Sequence, residues 1–400
     1  MKKTALYSIP LLSALITLSA CQSTVTPHEG MSANTPHKMN MQHWQNDDND
    51  EYPLPVALDL SAVSNLDKIT AQLLEKRVVY VGESHDRYEH HLNQLEIIRR
   101  LYNDNPKVAI GMEFFQQPFQ QYLDAFIAGE IDEKTFLEKS EYYKRWRIDY
   151  RHYRPIILFA KEHSIPLIAL DILEEIGRQV GKVGIENLDE DDKKHLPSDV
   201  VRTNTEYSDM LKAIFAQHPN MNDQIFERFM DVQLVRDETM AENTVKFLQE
   251  HPEHRMVVLA GSGHIAYGHG IPDRVARRME VSNAIVINGM GLELTPDLGD
   301  YILLSEAIQL PKAALLGVIL DTSQEGIVKI SDFGADSPAK RAGVKADDQL
   351  INLDGHNVAN LVDVKFNLLD KKPGDKVQIN VRRKNWLGND KEMQIDVVLH

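Results

Sequence analysis

Three stretches of this chain share one pattern: a short apolar run reaches a glycine and gives way to ionisable residues. Arg77-Val78-Val79-Tyr80-Val81-Gly82 leads into Glu83-Ser84-His85, Val108 to Gly111 leads into Met112-Glu113, and Met256 to Gly261 leads into Ser262-Gly263-His264. Short apolar runs bounded by such turns read as buried strands. Between them the apolar residues recur at helical spacing. Tyr88 to Tyr102 (Leu92, Leu95, Ile98, Leu101), Pro118 to Ile127, Arg154 to His163 and the long stretch Asp223 to Glu250 all fit helices, while Ile165 to Leu170 and Ala284 to Ile287 fit further strands. Strands alternating with helices predict an α/β fold, a mostly parallel sheet flanked by helices. The charged stretch Glu186 to Lys194 fits a peripheral excursion.

In a parallel sheet the carboxyl ends of the strands share one edge, and ligands bind there. Glu83, His85, Glu113 and His264 are therefore expected to converge although they lie far apart in sequence. Two histidines and a carboxylate suffice to hold zinc or another divalent metal, with His85 and His264 as the ligands. Glu83 or Glu113 would then act as general base on a metal-bound water, the arrangement of a metal-dependent hydrolase. A histidine at a strand end is also an ordinary structural group; the repetition of the pattern is what singles these out. Arg236 lies within the apolar pattern of the long helix, and a buried arginine needs a carboxylate partner, for which Glu83 and Glu113 are the candidates.

The N-terminus has a different character. Lys2 and Lys3 precede a mostly apolar stretch from Leu6 to Leu18, then Ser19, Ala20 and Cys21. The apolar core is too short for a membrane span, and Leu18-Ser19-Ala20-Cys21 resembles the lipobox of bacterial lipoprotein signal peptides. That resemblance implies cleavage before Cys21, lipidation of its thiol and anchoring in the cell envelope; Gln22 after the cysteine favours the outer membrane. Cys21 is the only cysteine, so no disulfide can close within the chain and no thiolate is left for a metal. Residues 1–20 are thus read as signal peptide and 21–56 as a flexible tether, polar and ending in the acidic run Asp47, Asp48, Asp50 and Glu51. A net charge of −16 argues against nucleic acid as a partner.

From residue 311 to 400 short β-type segments alternate with Gly and Asp turns. Leu315-Leu316-Gly317-Val318, Gly326 to Ile330, Asp336-Ser337-Pro338-Ala339, Ala342-Gly343-Val344, Ala346 to Ile351, Asp354-Gly355, Lys372-Pro373-Gly374-Asp375 and Val381-Arg382-Arg383 resemble a bacterial PDZ domain. The family usually has Gly where Ala346 stands. The resemblance implies capture of an extended peptide or protein C-terminus at a sheet edge. Leu316, Gly317 and Val318 would hold the carboxylate, and a helix over Asn360 to Asp370 would line the groove.

Residues 57–308 form the larger domain. Gly82 to His85, Gly111 to Phe115, Tyr153-Arg154-Pro155-Ile156, Arg236 to Ala241 and Gly261 to His264 resemble the ChaN-like haem-binding uptake lipoproteins, within a wider group that includes Tiki proteases, TraB-like proteins and erythromycin esterases. The resemblance implies haem binding in iron uptake, a tyrosine ligand to iron, and pairing of subunits as a homodimer around the haem. Tyr142 to Tyr153, which reads Tyr-Tyr-Lys-Arg-Trp-Arg-Ile-Asp-Tyr-Arg-His-Tyr, suits that chemistry. A phenolate from Tyr150 or Tyr153 is a haem-iron ligand, Arg151 and its neighbours suit propionates, and His152 can polarise a phenol. Tyr267 and His269 form a second pair of this kind.

Replacing the sole cysteine tests the anchor. Cys21→Ser is expected to remain unlipidated, with its signal uncut by the lipoprotein peptidase. Normal maturation and membrane fractionation of that variant would overturn the assignment.

Overall fold

The computed structural model describes residues 62–400 except 203–204, 216–221, 290–293, 296 and 385–389. Cys21 and the whole 21–56 tether lie outside the described residues. Six strands form the first sheet: β1 (Val78–Glu83), β2 (Val108–Gln116), β3 (Leu167–Asp171), β4 (Arg255–Gly261), β5 (Asn283–Asn288) and β6 (Tyr301–Leu303). Their order is β3-β2-β4-β1-β5-β6 and every pairing is parallel. All six residues of β1 are buried, as expected where helices cover both faces of a parallel sheet.

The side-chain alternation of the strands divides the core in two. Val79, Val81, Ile110, Met112, Val257 and Leu259 face the helices Tyr88–Asp104, Gln120–Ala128 and Arg154–Glu162. Val78, Tyr80, Val258, Ala260, Ile285 and Ile287 face the long helix Asp223–Glu250 and the helix Ile271–Arg278. The parallel α/β architecture expected from the sequence is the one found. The long helix has the bounds its periodicity gives, and β2 runs beyond Glu113 to Gln116. The pattern did not disclose β6, three half-buried residues, or the helices Leu66–Leu73, Glu133–Lys139, Glu174–Val183, Thr205–Phe215 and Ile271–Arg278. The charged excursion holds one turn of 3₁₀ helix, Ile185–Asn187, and a short exposed helix, Glu190–Lys193.

The second sheet is antiparallel. It contains β7 (Val318–Asp321), β8 (Val328–Phe333), β9 (Gln349–Leu353), β10 (His356–Asn357), β11 (Lys376–Lys384) and β12 (Asp390–Val398). The order is β12-β11-β9-β8-β7, with β10 on β9, so β7 is an edge strand. Val328, Ile330, Leu350, Leu353, Val377, Ile379 and Val381 form a core of their own. The helix Leu361–Leu368 starts with a capping box, Asn360 and Asp363 each bonding the other's backbone. It also faces the larger domain. Asp363 pairs with Lys134, Asp370 with Arg154, and Val362, Phe366 and Leu369 pack against the first core.

Because the antiparallel sheet has its own core, a fragment of residues 311–400 is expected to melt cooperatively alone, followed by circular dichroism. A fragment without a cooperative transition would show that its fold depends on the larger domain.

Candidate functional site

β1, β2, β3 and β4 end side by side, and each delivers a polar group to the same edge. Glu83 ends β1 and is buried. Its Oε1 accepts hydrogen bonds from His85 Nδ1 at 2.7 Å and from the Tyr153 hydroxyl at 2.8 Å. His91 Nδ1 lies 2.8 Å from Oε2, close enough for ion pairing but off the line a hydrogen bond needs. His91 is read as an imidazolium from its partners: Nε2 donates to the His85 carbonyl at 3.1 Å, and Nδ1 donates to Gln94 Oε1 at 3.1 Å. Burial alone would raise the Glu83 pKa, but the charge of His91 and the hydrogen bond from His85 outweigh it and hold it at about 2. Burial also works against charge on His91, and Glu83 reverses that, raising its pKa.

A second network surrounds Glu113 on β2. Its Oε2 accepts from the Gly261 amide at 2.7 Å and its Oε1 accepts from Arg236 Nη2 at 2.7 Å. The same guanidinium bonds Asp171, the last residue of β3, at 2.7 Å. His264 Nδ1 donates to Asp237 Oδ1 at 2.6 Å, and Tyr207 donates to the other Asp237 oxygen. His264 Nε2 lies 3.4 Å from Glu113 Oε1 and 3.2 Å from Arg236 Nη1; only a neutral ring could accept from the arginine. Burial disfavours the imidazolium, yet Asp237 and Glu113 together push the His264 pKa up to about 10, so the protonated form prevails. Glu113 is held well below the carboxylate range, because His264 and Arg236 overcome the burial that would raise it. Asp171 goes the other way: burial raises it more than Arg236 lowers it.

The two networks touch at Gly261. A Cβ there would sit 3.1 Å from His85 Cε1, 3.3 Å from His85 Nε2 and 3.6 Å from Glu113 Oε2. Glycine thus permits the His85 ring and the Glu113 carboxylate to converge. Gly270 serves the loop below, where a Cβ would fall 2.1 Å from the His264 carbonyl oxygen. The edge of Trp146 meets the His85 ring, with centroids 4.9 Å apart. The His85 side chain remains 34% exposed while Glu83 beneath it is sealed. With Nδ1 committed to a carboxylate, its Nε2 is the ring atom left to meet a ligand, as in oriented metal-binding histidines.

Glu83, His85, Glu113 and His264 therefore share one edge. Tyr153 joins them through Glu83, but its ring is buried. Tyr150 is also buried, and its hydroxyl donates to Glu133 at 2.9 Å, a carboxylate clamped by Arg154 at 2.7 Å. Burial pushes both phenols well above their ordinary pKa, which disfavours phenolate. His152 packs between Tyr88 and His91, and Arg151 bonds Asp149 and the Pro311 carbonyl. Tyr267 stacks on His269, centroids 5.7 Å apart. Leu316, Gly317 and Val318 lead into β7. Arg236 bonds Glu113, one of its two expected partners, and also Asp171. His91, Asp171 and Trp146 were not singled out from the sequence. His91 shares its helical spacing with Leu95 and Ile98, and Asp171 repeats the strand-end carboxylate without the glycine. His251, Glu253 and His254 also come together, before β4 and so at the opposite edge of the sheet.

Residues 69–275 match the family model described as haem-binding uptake, Tiki superfamily, ChaN, and residues 314–399 match the PDZ domain model. In fold, the chain is similar to a Campylobacter jejuni ChaN structure described as showing cofacial haem binding. That match has 18% identity and a TM-score of 0.50, covering 60% of this chain and 91% of that one. It is also similar to the PDZ domain of a carboxy-terminal protease from Vibrio cholerae, solved with a peptide, at 19% identity and TM-score 0.18, covering 22% of this chain and 93% of that one. The chloroplastic protein RETICULATA-RELATED 5 of Arabidopsis thaliana is 25% identical over 247 residues, 55% of this chain but 32% of that protein, so the chain spans about a third of that relative's length. With the first model covering over half of its length, the chain belongs to the ChaN-type haem-binding uptake family of the Tiki superfamily, and carries a C-terminal PDZ domain.

Proposed function

We propose that this chain binds haem in the bacterial envelope, anchored through lipid on Cys21 at the outer membrane, and serves haem and iron uptake while its PDZ domain captures a peptide C-terminus. The match of residues 69–275 to a haem-binding family carries this reading. Geometry supports a ligand from the chain's own residues. His85 offers Nε2 at the open side of the site, Glu83 fixes its orientation through Nδ1, and Trp146 supplies an aromatic wall. Tyr150 and Tyr153 stand behind it with their hydroxyls committed to Glu133 and Glu83. Iron at either phenol would first have to displace a carboxylate. Bound haem would supply a ferric centre that accepts a nitrogen or oxygen donor. Pairing of two copies around the haem belongs to the same proposal.

The divalent-metal hydrolase draws on the same strand ends. Glu83 and His85 form a carboxylate–imidazole pair that can also take a proton from water. His264 supports metal binding less well. Its Nδ1 is held by Asp237, and the Arg236 guanidinium lies beside its Nε2.

Haemin titration of the soluble, unlipidated chain separates these readings. His85→Ala is expected to abolish the wild-type Soret spectrum, and Glu83→Gln to weaken affinity about 10- to 100-fold, the range for loss of a ligand's orienting partner. If instead a charge-transfer band vanishes in Tyr150→Phe or Tyr153→Phe and survives in His85→Ala, the ligand is a tyrosine. A protein that ignores haemin but retains zinc or manganese, lost in both His85→Ala and His264→Ala, would establish the hydrolase reading.

The His264 network has a pH signature. Its imidazole is raised above the free value of about 6.5, to about 10. Its contribution to stability is therefore full below the first value and is lost as pH rises through the second. Urea denaturation should show stability falling across that window, with a flatter profile in His264→Gln. Equal slopes in both proteins would mean that His264 is neutral and accepts from Arg236.

A further inference from the structure

The PDZ groove is not open to solvent on both sides. A cavity of about 420 Å³ runs between β7 and the helix Leu361–Leu368, and its far wall belongs to the larger domain. Leu316, Val318, Leu320, Val364 and Leu368 give it an apolar side. Tyr143, Trp146, Arg147 and Ile148 close it from across the domain boundary.

Three features point to an extended chain ending in a carboxylate. Among the described residues β7 pairs with β8 alone and leaves its other edge unpaired, a template for one more strand. The amides of Leu316 and Gly317 meet no acceptor among the described residues. Gly317 holds φ +69°, and a Cβ there would lie 2.8 Å from Ser337 Cα and from Pro338 Cδ, so the turn that aims these amides depends on glycine. Charge then narrows the sequence of the peptide. Arg147 on the larger domain and Lys365 on the PDZ helix both line the cavity, both are exposed, and neither has an ion pair among the described residues. The acid on this lining, Asp149, is already neutralised by Arg151 at 2.7 Å. On a chain of net charge −16, two unmatched cations facing one groove mark a complement for negative charge.

We propose that Tyr143 to Ile148 of the larger domain form the second wall of the PDZ groove, and that the composite site selects peptide C-termini with an apolar last residue preceded by acidic residues. This rests on the peptide-binding reading of the PDZ domain and adds the larger domain as a determinant of specificity.

Fluorescence polarisation on the full soluble chain tests it with three labelled peptides. The first has two aspartates just before a C-terminal leucine with a free carboxylate; the second has lysines for the aspartates; the third is the first peptide with a C-terminal amide. The acidic peptide is expected to bind about fivefold or more tightly than the basic one, the scale of exposed ion pairs, with the gap shrinking as salt rises. The amide should lose about tenfold or more, since charge-assisted bonds to the carboxylate disappear. Arg147→Glu, an exposed change whose folding is checked by its melting temperature, should reduce or reverse the acidic preference, and Lys365→Glu should do the same. If the free-carboxylate peptide binds but Arg147→Glu leaves both affinities unchanged, the larger domain is no part of the site and only this inference fails. If amide and free acid bind equally, the groove takes an internal segment, and the proposal is overturned. If no peptide binds, the peptide-binding reading falls with it.

Discussion

Glu83 is a carboxylate sealed from water at the end of a central strand, and a charge in that position persists only where matching donors surround it. His85 comes from the turn after β1, His91 from the first turn of the next helix, and Tyr153 from the segment that precedes the helix Arg154–Glu162. One buried ion thus ties the turn after β1 and the start of the next helix to Tyr153, 70 residues further along the chain. Removing the carboxylate charge would leave an imidazolium at His91 with no counter-ion and free the His85 ring to rotate. Stability and site geometry consequently depend on the same contact.

The second network follows the same logic with the signs rearranged. Glu113, Asp171 and Asp237 bring three acids beneath the strand ends, and Arg236 and His264 supply the compensating positive groups. Each histidine has a carboxylate on Nδ1: Glu83 for His85 and Asp237 for His264. The two differ in what lies beyond Nε2. For His264 it is a guanidinium in a closed space; for His85 it is the partly open side of the site. That contrast separates a histidine that holds the sheet edge together from one that can meet a ligand.

Much of this arrangement was legible from sequence because its signal is local. An apolar run that reaches Gly82, Gly111 or Gly261 announces the polar group that follows, although at Gly111 the strand itself continues to Gln116. Residues whose role comes from tertiary packing were less accessible. His91 reads as one more position on an amphipathic helix until the fold places Glu83 above it, and Trp146 reads as one aromatic among several. The aromatic-basic segment lies beside the strand-end network, Tyr153 bonding Glu83 and Trp146 meeting His85, but spacing could not reveal which rings face inward. Burial of Tyr150 and Tyr153, and the carboxylates that meet them, depend on how 133–154 folds back on itself. β6 was missed because three half-buried residues carry too little periodicity to register.

The same segment explains why the two domains are packed rather than merely strung together. Within about one short helix and one turn, Tyr143 and Arg147 face the PDZ groove, Trp146 touches both that cavity and His85, and Arg151 bonds the Pro311 carbonyl at the entry to the second domain. Tyr153 reaches Glu83, and Arg154 spans from Glu133 to Asp370. A strip built this way cannot shift at one end without loading the other, because its side chains are held by ion pairs and ring contacts on both sides. Any ligand that moves Trp146 in the groove must alter the wall against which the His85 ring is set. Trp146 is therefore one direct physical connection between the PDZ groove and the strand-end site.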